Sequence, residues 1–148
     1  MALTTSRFLS LLFVALSLAP SMAHVLELPH KIGMSAADYL IVQQIYRGWA
    51  LLGVVILVAL VSTLVVALLE RHERRRFALS GGAFLCLVGA QIVFWVYTYP
   101  VNVRTQNWTT LPDNWTSLRA QWEYSHTTGA ALTLLAFVLL LIDVTARK

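Results

Sequence analysis

Cysteine and charge are both scarce in this chain of 148 residues, and each scarcity excludes a class of protein. Cys86 is the only cysteine, which excludes a disulfide-stabilised secreted module. Charged residues make up 12% and hydrophobic residues 58%, whereas an ordinary soluble domain has about 25% and about 45–50%. This composition excludes a soluble globular domain and a disordered chain. It indicates a small integral membrane protein whose first partner is the lipid bilayer.

The net charge of +4 does not indicate a nucleic-acid partner. Binding to nucleic acid needs a basic face in water, whereas the basic residues here lie between apolar runs. We expect lipid headgroups as their partners and no nucleic acid.

Four apolar segments predict membrane-spanning helices, because about 20 residues at about 1.5 Å each cross a bilayer. Short connectors between them favour an antiparallel arrangement. We therefore predict an all-α fold, a four-helix transmembrane bundle that forms one domain over 1–148. The predicted helices cover about 8–28, 36–72, 77–99 and 114–145. Ser35 with Asp38 predicts a cap for the second helix, and Pro100 predicts the end of the third.

The first apolar segment has two interpretations. Arg7, an apolar run and then Ser21-Met22-Ala23 are typical of a cleavable signal peptide. The alternative is a retained first helix that bends at Pro20. We favour the retained helix, because it brings His24 to the height of a histidine on the fourth helix.

The basic residues predict the orientation of the bundle. Seven of the eleven Lys and Arg lie in Arg7, the 70–76 connector and the Arg147-Lys148 end. The positive-inside rule places all of these in the cytoplasm, so both termini are inside (N-in/C-in). We expect a multi-pass protein of a bacterial inner membrane with its functional face outward. All five Trp and all five Tyr fall at or beyond the outer end, which favours an outer vestibule over an aromatic belt at both interfaces.

The fourth helix carries a stripe of polar and aromatic side chains within roughly 100° of arc: Trp115, Arg119, Trp122, Glu123 and His126. Glu123-x-x-His126 has the spacing by which a helix presents a carboxylate and an imidazole to one metal. His24-x-x-Glu27 mirrors this spacing on the first helix. The helical rise puts both histidines about 25 Å above the inner boundary, so the two pairs are expected to be level.

These four residues predict a site for one metal ion, with His24, Glu27, Glu123 and His126 as ligands. Iron, zinc and manganese suit such a set. In a first alternative, each Glu only orients its neighbouring His and no metal binds. In a second, His24 and His126 are axial ligands of a haem. In a third, cleavage after Ala23 makes His24 the N-terminal residue, whose amine and imidazole chelate copper.

Two further polar residues are candidates for substrate contacts. The third helix presents one face with spacings of four, three and four: Gln91, Trp95, Thr98 and Asn102. Asn102 follows Pro100, so its side chain is expected over the vestibule; interhelix hydrogen bonding with Trp95 as packing is the alternative. Arg119 suits an anionic or phenolate oxygen, or else an ion pair with Asp113 or Glu123.

A resemblance to a known family adds to these predictions. Tyr99-Pro100-Val101-Asn102, a Trp-rich connector and Trp122-x-x-x-His126 before a final apolar helix resemble the small four-helix membrane proteins grouped with anthrone oxygenases. The resemblance implies four spans, including the first, and in some relatives the oxidation of polycyclic phenols by dioxygen. The matching positions are Asn102, Trp122 and His126. The chain departs from the family pattern at Gly129, where an Arg is expected.

The sequence thus predicts a membrane oxidoreductase for a flat aromatic, phenolic or quinol-like substrate in an outer-side pocket. Glu123 and His126 are the expected base or metal ligands, and Asn102 and Arg119 stabilise the developing oxyanion. The expected substrate contacts are Trp95, Trp108, Trp115, Trp122 and Tyr46. The alternative is a non-catalytic subunit of a larger membrane complex or a quinone or lipid carrier, with a homo-oligomer also open.

Overall fold

The computed structural model describes residues 1–145 and shows an all-α protein. The elements, in chain order, are α1 (Ala2–Lys31), α2 (Ala36–Gln43), α3 (Leu52–Leu69), α4 (Arg74–Val93), a π-helical turn (Phe94–Thr98), α5 (Tyr99–Arg104) and α6 (Trp115–Thr145). Four continuous helical stretches are long and apolar enough to cross a membrane: Ala2–Lys31, Trp49–Leu69, Arg74–Arg104 and Trp115–Thr145. The chain is therefore a multi-pass membrane protein. The predicted basic end at Arg147-Lys148 lies outside the described residues.

The first helix is longer than the predicted range of 8–28, because it begins at Ala2 and Pro29 does not stop it. α1 runs through Pro20 and Pro29 and ends at Lys31. Each proline removes only one backbone donor, and α1 packs against both α3 and α6. A final bond from the backbone N–H of Ile32 to the carbonyl of Leu28 (3.0 Å) closes the last turn.

The second predicted helix, 36–72, is two helices in the structure. Its start is as expected, since the hydroxyl of Ser35 accepts a bond from the backbone N–H of Asp38 (3.2 Å). α2 ends at Gln43, and the chain then turns at Gly48, whose φ is +90°. Glycine adopts this left-handed conformation without a steric penalty. Two short 3₁₀ turns, Gln44–Tyr46 and Trp49–Leu51, flank the break, and α3 follows.

The third helix does not stop at 99, because a π-helical turn lets it continue past Pro100 as far as Arg104. The wider turn places Pro100 in the first turn of α5, where a helix tolerates a missing N–H. This region is attached to α6. The hydroxyls of Thr98 and Ser125 are hydrogen-bonded at 2.7 Å, and the Gln121 amide donates to the carbonyl of Tyr97 (2.8 Å).

Charged side chains join the four spans at one end of the bundle, which we name the inner end after the predicted orientation. Arg7 of α1 pairs with Glu70 at the end of α3 and lies 3.4 Å from Asp143 of α6. Arg76 of α4 lies 3.3 Å from the same Asp143. This inner quartet of Arg7, Glu70, Arg76 and Asp143 takes one residue from each span. Its two positive and two negative charges balance.

Two hydrophobic cores fill opposite ends of the molecule. The inner core consists of Val14, Ala59, Ala83, Leu87, Ala136 and Leu140. The outer core lies beneath the connectors at the other end and consists of Tyr39, Val101, Trp108, Leu118 and Trp122. The space between the two cores is not filled by side chains, and the candidate site lies there.

Candidate functional site

A cavity of about 950 Å³ lies between the inner and outer cores. Its deepest lining residues come one from each span: Ser17, Leu60, Leu87 and Thr133. Each lies ten or eleven residues from the inner quartet, which corresponds to about 15 Å of helix. Because the hydrocarbon layer is about 30 Å thick, the cavity floor lies near the middle of the membrane.

The mouth of the cavity lies between α3 and the stretch from the π-helical turn to the start of α5. Leu57, Trp95 and Tyr99 line the cavity and are also exposed on the molecular surface; the exposed fraction of Trp95 is 58%. The π-helical turn that carries Trp95 packs against α6. The cavity thus opens sideways, toward the bilayer, as well as toward the outer connectors.

Two histidines form the centre of the cavity wall. The rings of His24 and His126 are stacked, with centroids 4.0 Å apart and planes 23° apart. Trp122 lies 4.1 Å from the His126 ring, and Tyr46 lies 4.7 Å from the His24 ring. Trp49 completes the cluster at 5.7 Å from His24. We name these five residues the aromatic cluster.

Lys31 lies buried above the aromatic cluster, with only 2% of its surface exposed. Its ammonium lies 2.9 Å from the carboxylate of Glu123, donates to the hydroxyl of Tyr46 (2.9 Å) and lies 3.7 Å from Glu27. It also lies 4.8 Å from the ring centroid of Trp122. A buried carboxylate is tolerated only with such a partner, so Lys31 stabilises the buried charge of Glu123.

Two tyrosines complete this network. The hydroxyl of Tyr39 donates to Glu123 (2.8 Å), and that of Tyr46 donates to Glu27. Burial raises the pKa of Tyr39, and the nearby Glu123 carboxylate raises it further. Burial and the Glu27 carboxylate raise the pKa of Tyr46 in the same way. Both hydroxyls therefore stay protonated and act as donors.

The four predicted metal ligands divide into two separate pairs. The histidines contact each other, whereas the carboxylates of Glu27 and Glu123 face the ammonium of Lys31. This ammonium takes the charge-pairing role that the predicted metal ion would have. Within residues 1–145 no group of three or more His, Cys, Asp and Glu is arranged for a metal ion. Metal binding stays a prediction, and it requires Lys31 to move.

The structure also bears on the first two alternatives, the orientation of each His by its neighbouring Glu and the binding of a haem. The Glu carboxylates bind Lys31 and the tyrosines rather than the histidines, and Nδ1 of His24 has no hydrogen-bond partner among the described residues. Axial haem ligands approach an iron end-on from opposite sides. His24 and His126 instead lie face to face, so a porphyrin does not fit between them in this arrangement.

Asn102 and Arg119 have different environments. Asn102 lines the cavity, and its side-chain oxygen accepts a bond from the indole N–H of Trp122 (2.8 Å). Arg119 donates to the backbone carbonyl of Met34 (2.7 Å), and its guanidinium lies 4.7 Å from the ring centroid of Trp115. Arg119 therefore stabilises the outer connectors, and the expected ion pair with Asp113 or Glu123 is replaced by these contacts.

The aromatic residues predicted to contact substrate are mostly at the cavity. Four of them line it: Tyr46, Trp95, Trp108 and Trp122. Trp115 packs instead on Tyr39, with ring centroids 6.3 Å apart. Lys31 was not among the residues predicted from the sequence, because the first helix was expected to end before Pro29. The four-residue spacing from Glu27 to Lys31 was the signal that could have found it.

Several buried polar atoms at the upper wall have no hydrogen-bond partner among residues 1–145. They are Nδ1 of His24, both amide atoms of Gln43 and the indole N–H of Trp108, and all three residues line the cavity. Unpaired buried polar atoms are costly. Together they can donate hydrogen bonds to the oxygens of a ligand and accept hydrogen bonds from its hydroxyls.

Comparison with known proteins adds no assignment. No protein-family model matches the chain, and neither a curated protein nor a solved structure does. The likeness to the anthrone oxygenase group therefore stays an interpretation of the motifs alone.

Proposed function

We propose that this chain is a membrane oxidoreductase that binds a flat phenolic or quinol-type molecule in the cavity and oxidises it. The observation that carries the proposal is the stacked His24–His126 pair in the wall of a largely apolar cavity of about 950 Å³. Small-molecule sites are apolar concavities of roughly 300–1,000 Å³ with a few polar groups. This cavity fits that description.

The chemistry begins with removal of a phenolic proton by a histidine. A quinol held against Trp122 and Tyr46 places its hydroxyl within reach of His24 or His126, and a neutral imidazole accepts the proton. The quinol then loses its second proton and two electrons. With dioxygen as the acceptor, quinol and dioxygen give quinone and hydrogen peroxide, so that atoms and electrons balance.

Tyr46 and Glu27 supply a route for the released proton. Tyr46 lines the cavity and donates to Glu27, whose side chain is 32% exposed. Because the ring of Tyr46 contacts that of His24, a proton released near His24 can reach outer water at Glu27.

Oxygen consumption by the protein in detergent, with a naphthoquinol as the added substrate, tests the proposal. General base catalysis contributes about 10²–10⁴-fold, so we expect His126→Ala and His24→Ala to lower kcat by that order. His72→Ala is the matched control, because His72 lies exposed in the connector at the inner end. Full activity in both cavity variants contradicts the mechanism.

A second candidate is a non-catalytic quinone-binding subunit of a membrane complex. It is favoured by the environments of Glu123 and Arg119, which are held by Lys31 and Met34 and leave only the histidines as free catalytic groups. Quinone binding without oxygen consumption, together with a stable partner retained in mild detergent, supports this candidate and contradicts the first.

A further inference from the structure

The cavity continues well below the histidine pair. His24 and Ser17 are seven residues apart on α1, and His126 and Thr133 are seven residues apart on α6. All four residues line the same cavity, which therefore extends about 10 Å below the histidines. A ring system held at the aromatic cluster leaves this lower compartment empty.

The walls of the lower compartment are mostly apolar, and Ser21 and Gln91 are polar residues near its top. The apolar residues include Ala59, Leu60, Leu87 and Ala90. The polar groups at its floor are satisfied by their own helices, since Ser17 donates to the carbonyl of Phe13 (2.8 Å) and Thr133 to that of Gly129 (2.9 Å). The upper wall has unpaired polar atoms, so the two parts of the cavity suit chemically different groups.

Gly129 shows how open the lower compartment is. It lies one turn below His126 and lines the cavity, and a Cβ added there meets no atom within 4 Å. Protein interiors are normally close-packed, and an unfilled apolar space forfeits dispersion contacts. An apolar group that fills this space therefore gains contacts that the protein alone does not make.

We propose that the ligand of this cavity is a quinol that carries an apolar chain, with its ring at the histidine pair and its chain in the lower compartment. The inference rests on the proposed function and names the substrate class within it. The exposed mouth at Leu57 and Trp95 admits such a molecule from the bilayer. The acyl chain of a phospholipid has the same chemistry and is the competing occupant.

The test compares two probes that share a ring, 2-methyl-1,4-naphthoquinone and the same quinone with a decyl chain. Binding is followed by quenching of tryptophan fluorescence in one detergent. Partition of the chain into micelles cancels when each probe is compared between wild type and variant. Gly129→Leu narrows the lower compartment, and Gly81→Leu is its control, because Gly81 is a helical glycine with equally open surroundings outside the cavity.

We expect Gly129→Leu to weaken binding of the decyl quinone by about tenfold or more relative to the chainless quinone, since the chain loses its space. Gly81→Leu should change the affinity for neither quinone. If Gly129→Leu does not fold, Ala90→Phe replaces it, with Ala78→Phe on the exposed side of α4 as control. Equal changes for both probes overturn the inference and leave the proposed function standing.

Two other results separate the remaining cases. If wild type binds neither quinone, the proposed function itself fails. Lipids extracted from the purified protein identify the competing occupant. A phospholipid retained by wild type, lost from Gly129→Leu and not displaced by the decyl quinone overturns the chain-bearing quinol.

Discussion

Lys31 is the residue on which the outer half of the site depends. It is buried among Tyr39, Tyr46 and Trp122 and contacts Glu123, whose side chain is fully buried. Its removal leaves the carboxylate without a compensating charge. Breaking a buried ion pair from one side is far more damaging than replacing both partners.

We expect Lys31→Met to lower the free energy of unfolding by about 3–5 kcal/mol, measured by thermal or denaturant unfolding in detergent. Lys31→Met combined with Glu123→Leu should recover part of this loss, because no buried charge is then unpaired. Arg104→Met, at an exposed position, is the control. If Lys31→Met alone is as stable as Arg104→Met, the role assigned to Lys31 is wrong.

The position of Lys31 also makes a prediction about metal. Since its ammonium already pairs with both Glu27 and Glu123, we expect elemental mass spectrometry of chelator-free protein to find well below one metal ion per chain. Stoichiometric iron, zinc or manganese that disappears in a His24→Ala, His126→Ala double variant establishes the predicted site instead. That result also means that Lys31 moves away from the carboxylates.

At the residue level, helical spacing predicted part of the site. The seventeen residues from Arg7 to His24 and from His126 to Asp143 predict level histidines, and in the structure their rings stack. Apart from the four-residue spacing of Glu27 and Lys31, the partners of the two glutamates were not predictable in this way. They depend on how far α1 extends past Pro29 and on how the 36–46 segment folds back, which no single-helix spacing contains.

At the scale of elements, the apolar runs predicted four spans, and local backbone geometry decided where each one breaks. The second span breaks at Gly48, whose φ of +90° brings Tyr46 over the cavity instead of extending α3 outward. The third span absorbs Pro100 through its π-helical turn. Neither the turn at Gly48 nor the π-helical turn alters the hydrophobicity of its segment. The apolar pattern of the sequence therefore did not predict them.

Gly48→Ala tests the first break. A left-handed residue with a side chain costs about 1–2 kcal/mol, so we expect a loss of stability of that size by unfolding in detergent. Gly53→Ala is the matched control. Gly53 is helical and a Cβ there meets nothing within 4 Å, so alanine should be neutral or stabilise slightly. Equal behaviour of the two variants contradicts the assigned backbone strain.

At the scale of the whole molecule, the two ends of the bundle differ in kind. The inner end is packed and held by the charge quartet, whereas the outer half is hollow and covered by aromatic connectors. The basic residues near the inner end predict the orientation in the membrane. In the predicted orientation, the cavity opens on the outer side.

Cysteine labelling in whole cells tests this orientation. In a Cys86→Ser background, we expect Gln106→Cys to react with a membrane-impermeant maleimide in intact cells. His72→Cys should react only after permeabilisation. Both positions are exposed, so accessibility within the fold does not separate them. The reverse pattern places the cavity on the cytoplasmic side.

The inner quartet also sets an order for biogenesis. Arg7 and Glu70 are synthesised early and can pair while α1 and α3 form a first hairpin. Asp143 is the last of the four along the chain, and it is the carboxylate shared by Arg7 and Arg76. Until it arrives, two arginines have one carboxylate between them. A chain that ends before Asp143 therefore leaves Arg76 without its carboxylate partner, and the charges at the inner end balance only once α6 is in place.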